Sequence, residues 1–427
     1  MIPQGKLPRD ILWTLGSFAF LATSGVVINF AVVGLRDATS LGVFNLSYAV
    51  YMLVSQIAIW GVHYSVLRNA AYYSCSAKRR GLLIATAILF GLVFGLVATL
   101  TLVLLAPYLG ILFKSTSTGE AIKLAAFGLL LFPVNKVLIA YVNALRHMRA
   151  FALLQALRYL CVMLWVGAIC ASEFSFAWTS FGFFVAEVVT LLAALFYLQR
   201  VSLLRYLRWS PSWGRRHFSF GAKSLPSGMF VEANSRLDVL LIGFFFGQFA
   251  VGVYSFAAML VDGLLQILAM IRVNLNPILV EIFRDSLWSQ GRDLFRVTRR
   301  YIYLASFFLS LGILFVFWIF TNQIMPDKDL QGGMGSLIIL LAGLGLVSAY
   351  IPFDNVLMVS GFPFYQTFQN LSVVGVNLLA GIILVPRFGI EGAALATAGS
   401  YLAGIAVMIF FVKRLTGWNL IYNKARF

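Results

Sequence analysis

Nine ionisable residues lie inside stretches that are otherwise almost wholly apolar: Lys136, Arg158, Arg236 and Arg272, with Glu187, Glu232, Asp238, Asp262 and Asp354. A charge within a membrane span is costly, so by default it faces a polar interior and marks function. Lys136, Arg158 and Arg236 are candidates to hold an anion. Glu232, Asp238, Asp262 and Asp354 are candidates for ion coupling or for holding those cations in place. The amides of Gln56, Gln155, Gln266, Gln366 and Asn370 can hydrogen-bond a polar solute. Helical spacing puts several of these on shared faces. Ser224, Glu232 and Arg236 recur at multiples of four, with Ser227, Asn234 and Asp238 in a row beside them. Asp262 shares a face with Gln266, Gln155 with Arg158, and Gln366 with Asn370 and Asn377. Lys136 and Asp354 each follow a proline, Pro133 and Pro352, while Pro226 removes a backbone donor near the start of its helix.

The competing reading is that these groups are ties between helices. Glu232 and Arg236 at i,i+4 would then neutralise each other. Arg272, near a helix end, is expected to reach out to headgroups. Glu187 has no obvious local polar partner, which favours a protonated, packed carboxyl.

Other chemistries are missing from the sequence. There is no G-x-x-x-x-G-K-[ST] loop, since "GAKS" at Gly221 lacks the preceding glycine. There is no H-E-x-x-H or C-x-x-C, and His63, His147 and His217 are too scattered to indicate a metal site. Cys75, Cys161 and Cys170 do not make a disulfide framework. The expectation is a protein that is not an enzyme and that uses no cofactor and no metal.

The elements that must position these residues are membrane helices. The 427 residues are 61% hydrophobic and 11% charged, against about 25% charged in soluble domains. Stretches of about 20 apolar residues recur throughout, near 11–33, 43–62, 82–106, 121–143, 151–171, 176–198, 222–245, 249–272, 301–321, 336–358, 365–386 and 392–412. The fold class is therefore an all-α polytopic membrane protein with twelve transmembrane helices. Of the alternating connecting segments, one set carries 23 Lys and Arg and the other only Arg36, Lys114, Lys123, Lys328 and Arg387. By the positive-inside rule both termini and the central loop are cytoplasmic. That asymmetry accounts for the net charge of +17, so no nucleic-acid partner is expected. The central loop, "RVSLLRYLRWSPSWGRRHFSF", interleaves arginines with aromatics and reads as an amphipathic segment on an anionic leaflet.

The two halves look related. "LGVFNLSYAVYMLVSQI" from Leu41 aligns with "VGVYSFAAMLVDGLLQI" from Val251, "PVNKVL" at Pro133 with "PFDNVL" at Pro352, and "FYLQR" at Phe196 with "FFVKR" at Phe410. The similar offsets indicate one duplication of six helices, giving an N-terminal lobe of residues 1–210 and a C-terminal lobe of residues 211–427. Six helices per unit make the lobes parallel, and transporters commonly bind substrate between such repeats near the midplane.

"NSRLDVLLIGFFFGQFAVGVYSFAAML" from Asn234, with Pro277 beyond it, resembles the bacterial polysaccharide transporters. These include O-antigen and related lipid-linked oligosaccharide flippases of the multidrug/oligosaccharidyl-lipid/polysaccharide exporter superfamily. Asp238, Gly247, Gly252 and Tyr254 match that pattern, as do "LVPRFGIEGAALATAGSYL" from Leu384 and "LRDATSLGVFNLSYAV" from Leu35. The resemblance implies two six-helix lobes around a central cavity, working by alternating access and coupled to a proton or sodium gradient. It implies a bacterial inner-membrane flippase that carries an isoprenoid diphosphate-linked oligosaccharide from the inner to the outer leaflet, for cell-surface polysaccharide. Partners would be that lipid-linked substrate, membrane lipid and proteins of glycan polymerisation and assembly. Lys136, Arg158 and Arg236 would then engage the diphosphate or anionic sugars, and the five amides the sugar hydroxyls. Three alternatives stay open: a multidrug or organic-cation antiporter of the same superfamily, an inactive scaffold in a glycan-assembly complex, and a variant related to the peptidoglycan-precursor flippases, against which the count of twelve rather than fourteen helices stands.

Overall fold

The computed structural model describes residues 6–73, 76–200, 208–285, 287–420 and 424–425. Cys75, Arg205, Arg426 and the 201–207 stretch of the expected amphipathic loop lie outside them, as do the side chains of Ser227 and Pro277. Among the described residues the chain is almost entirely helical. The exception is a two-residue pairing of Trp418–Asn419 with Lys424–Ala425. The chain divides into two compact units, Met1–Glu232 and Ala233–Phe427.

The first unit opens with α1 (Lys6–Leu35), α2 (Ala38–Ile59), α3 (Val62–Tyr72) and α4 (Ala77–Leu112). It continues with α5 (Thr116–Ala126), α6 (Phe132–Ala144), α7 (Met148–Cys170), α8 (Gly182–Arg200) and most of α9 (Pro211–Asn234). Local signals set several boundaries. The Asp37 carboxylate accepts from Ser40 N at 2.6 Å and caps α2, and the Ser115 hydroxyl accepts from Thr118 N at 3.0 Å and caps α5. The break between α5 and α6 bends the span by 44°. A 3₁₀ turn, Phe127–Leu130, ends the first piece, and Pro133 stands in the first turn of the second, where its missing N–H costs nothing. Helix α4 seats this break with small residues. A Cβ added at Gly95 would lie 2.7 Å from the Leu129 carbonyl oxygen and 2.8 Å from that of Leu130. Val66, Leu83, Ala87, Val137, Leu138 and Val142 close the core behind it.

Pro211–Glu232, which the sequence places in the second lobe, packs with the first unit. The cause is local. His217 is buried, its Nδ1 faces the Ser65 hydroxyl at 2.9 Å, and its Nε2 donates to the Leu83 carbonyl at 3.2 Å. These bonds tie α9 to α3 and α4.

The second unit holds α10 (Leu237–Phe246), α11 (Gln248–Arg284), α12 (Trp288–Ile319), α13 (Gly333–Val347), α14 (Val356–Val359) and α15 (Pro363–Thr416). Its fourth expected span is also broken at a proline. Pro352 lies in a 3₁₀ turn, Ile351–Phe353, between α13 and α14. Helix α15 is two helices joined at Gly389, whose φ of 59° and ψ of −135° are open only to glycine. The two arms run antiparallel. Gly381 faces Ala396, Gly404 faces Val373, and Tyr365 meets Phe411 at 4.7 Å between rings.

Among the described residues, nine helices are long and apolar enough to cross a membrane, or ten if the α5–α6 pair counts as one span. The two expected spans beyond these are the second arm of α15 and the α9–α10 pair. The sequence predicts one helix over 222–245, but the structure turns at Ser235–Arg236. The apolar piece Leu237–Phe246 is too short to cross alone.

Candidate functional site

The bent span of the first unit builds a charged cluster. Five side chains from α6, α7 and α8 take part: Phe132, Asn135, Lys136, Arg158 and Glu187. The Arg158 guanidinium meets the Glu187 carboxylate edge-on, with Nε to Oε1 at 3.0 Å and an Nη2 donor to Oε2 at 3.1 Å. The Asn135 amide donates to the same Oε2 at 2.6 Å and to the Glu187 backbone carbonyl at 2.7 Å. Arg158 is 8% exposed and Glu187 2%. Burial makes the pairing obligatory, because either charge alone would be left without solvation. Glu187 therefore is not the partnerless carboxyl expected from the sequence: its partners are 52 and 29 residues away.

Phe132, in the same first turn of α6, lies under two cations. Its ring centre is 4.9 Å from the Arg158 guanidinium carbon and 5.7 Å from the Lys136 ammonium. Lys136 is half-buried and forms no ion pair among the described residues. Its ammonium is repelled by Arg158 and attracted by Glu232 and Glu187. Half-buried Gln56 stands close to α9, its Oε1 3.6 Å from where a Cβ at Gly228 would be, with the Tyr64 hydroxyl 3.7 Å from the same point. The first unit thus brings Lys136, Arg158 and Glu187 together. Gln155 is half-buried one turn before Arg158.

The second unit gathers two further groups. In the first, the Tyr254 hydroxyl donates to Asp238 Oδ2 at 2.7 Å, and Val239 N donates to Oδ1 at 2.8 Å. Arg236, in the turn before α10, attracts both Asp238 and Asp262, while the two carboxylates repel each other. Asp262 and Gln266 are exposed on α11. The Asn377 side-chain amide donates to Asn234 Oδ1 at 3.3 Å. The helical face expected to carry Ser224, Glu232 and Arg236 stops short, since α9 ends at Asn234 and Arg236 is beyond it.

In the second group, Arg272 Nη1 donates to Asp354 Oδ2 at 3.1 Å, and the Gln369 amide donates to Oδ1. The Gln366 amide donates to Gln369 Oε1 at 3.3 Å. Arg272, expected from the sequence to reach out to headgroups, thus has a carboxylate partner on the broken span. Gln366 is buried at 4% exposure, whereas Asn370 is half-buried.

Sequence reasoning passes over Asn135, Phe132 and Gln369. One signal for Asn135 is present. The "PVNKVL" and "PFDNVL" alignment places Asn135 opposite Asp354 and Lys136 opposite Asn355. Both hub positions follow a proline break and both organise a charged pair.

Residues 35–325 match the family model described as polysaccharide biosynthesis protein. The teichuronic acid biosynthesis protein TuaB of Bacillus subtilis (strain 168) is 27% identical over 215 residues, which is 48% of this chain and 40% of that protein. The match thus spans less than half of the curated relative. An inward-closed structure of the lipid II flippase MurJ superposes with a TM-score of 0.75 at 12% identity, covering 94% of this chain and 87% of that one. An inward-facing multidrug resistance MATE family transporter of the MOP superfamily gives a TM-score of 0.65 at 15% identity, covering 92% and 93%. At such identities the likeness is one of fold.

Proposed function

The chain belongs to the polysaccharide biosynthesis protein family, and from that premise we propose that it carries a lipid-linked oligosaccharide across the bacterial inner membrane by alternating access. The direction is from the inner to the outer leaflet, with both termini cytoplasmic. The observation that carries this reading is Lys136. It is an intramembrane ammonium held at a helix break, over Phe132, beside a cation already neutralised by Glu187. A diphosphate demands cationic partners, because an unpaired phosphate in an apolar medium costs many kcal/mol. Lys136 and Arg236 supply the charge. Arg158 supplies it only through whatever its carboxylate partner leaves over. Gln56, Gln155, Gln266 and Asn370 are the amides with surface left for sugar hydroxyls, and Gln366 contributes through its contact with Gln369. Asp238 and Asp262 are the proposed coupling residues for a proton or sodium ion.

The test is substrate flipping in reconstituted vesicles. In Lys136→Gln, transport at low substrate falls about tenfold or more, the worth of one charge-assisted hydrogen bond. Undiminished flipping in Lys136→Gln combined with Arg236→Gln overturns the assignment. The organic-cation reading rests on the exposed carboxylate of Asp262. It predicts drug resistance that Asp262→Asn abolishes, with no change in surface glycan.

A further inference from the structure

We propose that the face of the first unit built by the end of α3, the start of α4 and the start of α9 is a docking surface for anionic phospholipid headgroups. Six basic residues on these helices are exposed, Arg68, Lys78, Arg79, Arg215, Arg216 and Lys223, and Arg208 just before α9 is exposed as well. Among the described residues 62–73, 76–80 and 208–223 there is no Asp or Glu. Three of the guanidinium groups lie on aromatic rings. Arg68 is 5.7 Å from the Phe220 ring centre, Arg79 is 5.2 Å from Tyr73, and Arg216 is 5.2 Å from Trp213. The Tyr73 and Trp213 rings meet edge to face at 5.8 Å, so two of these pairs form one continuous surface.

Stacking on a ring holds a guanidinium by its flat face and leaves its N–H edge for a phosphate. It does not cancel the charge. Six cations gathered without a carboxylate repel one another unless a partner brings negative charge. Trp209 and Phe218 are also exposed, at 50% and 48%, and Tyr72 at 79%. Aromatic side chains of this kind sit at the headgroup level of a membrane. The bonds from His217 to Ser65 and Leu83 set α9 beside the first turns of α4, where the expected third span begins. The patch is therefore both preformed and at the right height. Positive-inside placement explains why basic residues lie on this side. It does not explain their stacking, nor the absence of acids. The second unit differs in its acids: Arg299 also lies on a ring, Phe295, at 5.7 Å, but Arg296 pairs with Asp293 at 3.3 Å and Arg272 with Asp354 at 3.1 Å. A juxtamembrane cluster of this size reads as a site for anionic lipid.

The inference stands apart from the transport reading, because it concerns bilayer lipid rather than cargo. Its test uses the full-length protein in nanodiscs free of isoprenoid diphosphate, made of phosphatidylcholine alone or mixed with phosphatidylglycerol. A ligand that binds the folded state raises its melting temperature. The wild-type protein is expected to melt higher with phosphatidylglycerol present. The variant Arg68→Gln/Arg79→Gln/Arg215→Gln/Arg216→Gln is expected to lose most of that rise and to match wild type in phosphatidylcholine. Replacing Arg292, Arg296, Arg299 and Arg300 of the second unit by Gln should leave the rise in place. No rise in wild type, an undiminished rise in the first variant, or an equal loss in the second would each overturn the proposal. If the first variant melts early in phosphatidylcholine, the four lysine replacements decide, since they keep the charge. A retained rise supports the docking surface and a lost one refutes it.

Discussion

Replacing Glu187 by Leu should be among the most damaging single changes in the first unit. The side chain is 2% exposed and its carboxylate receives two contacts from Arg158, at 3.0 and 3.1 Å, and one from Asn135, at 2.6 Å. Asn135 keeps its second bond, to the residue 187 backbone carbonyl, so its loss is partial. Arg158 loses its carboxylate partner. Stranding one member of a buried pair costs about 3–5 kcal/mol. Both groups are too buried for solvent to soften this. Removing both charges, in Arg158→Met/Glu187→Leu, should restore stability to within about 1–2 kcal/mol of wild type, because well-packed apolar replacements of a buried pair are often neutral or stabilising. With either single change costing about 3–5 kcal/mol, the coupling between the two sites is then at least about 4 kcal/mol. Four proteins, wild type, the two single variants and the double, are unfolded in one detergent and compared. A cost below about 1 kcal/mol for Glu187→Leu, or additive effects in the double variant, would refute the reasoning.

Three other outcomes follow from the same geometry. Gly95→Ala should destabilise by about 1–3 kcal/mol, because the new methyl meets backbone oxygens that cannot step aside; unfolding in detergent measures it, and a neutral result would mean that the α5–α6 break shifts freely. Gly389→Ala should cost about 1–3 kcal/mol for backbone strain alone, since nothing lies within 4 Å of its Cβ position; an unchanged melting curve would contradict the bend described there. Burial pushes the His217 imidazole down from 6.5 to about 4, so the unfolded chain takes up a proton more readily. Its contribution is complete above pH 6.5 and declines as pH falls toward 4, by at most about 3 kcal/mol. His217→Gln should flatten the melting profile across that window, and identical slopes for wild type and variant would rule this role out.

Apolar runs and charge asymmetry made the membrane spans legible, because helix length and loop charge are written locally. Breaks were harder to read. Pro133 and Pro352 stood in view, yet the turn at Ser235–Arg236 and the bend at Gly389 leave weak local marks. Side-chain pairing was the least legible. Periodicity reports neighbours three or four residues apart, whereas Arg158 and Glu187 meet across two helices. The same limit hid the contact of Arg272 with Asp354, which distance in sequence disguises and packing creates. Even a partner near in sequence escapes the periodic reading: Gln369 bonds Gln366 but lies outside the row of Gln366, Asn370 and Asn377.

The Arg158–Glu187 pair has an electrical consequence. A fixed dipole of equal and opposite charges carries no net charge when the helices around it move through a membrane potential. Each unit charge displaced across 100 mV is worth about 2.3 kcal/mol. Within this cluster the voltage sensitivity of a working cycle therefore falls to Lys136 and to whatever neutralises it. Electrical recordings that compare Lys136→Gln with the Arg158→Met/Glu187→Leu variant would separate the two, since only the first alters the charge moved.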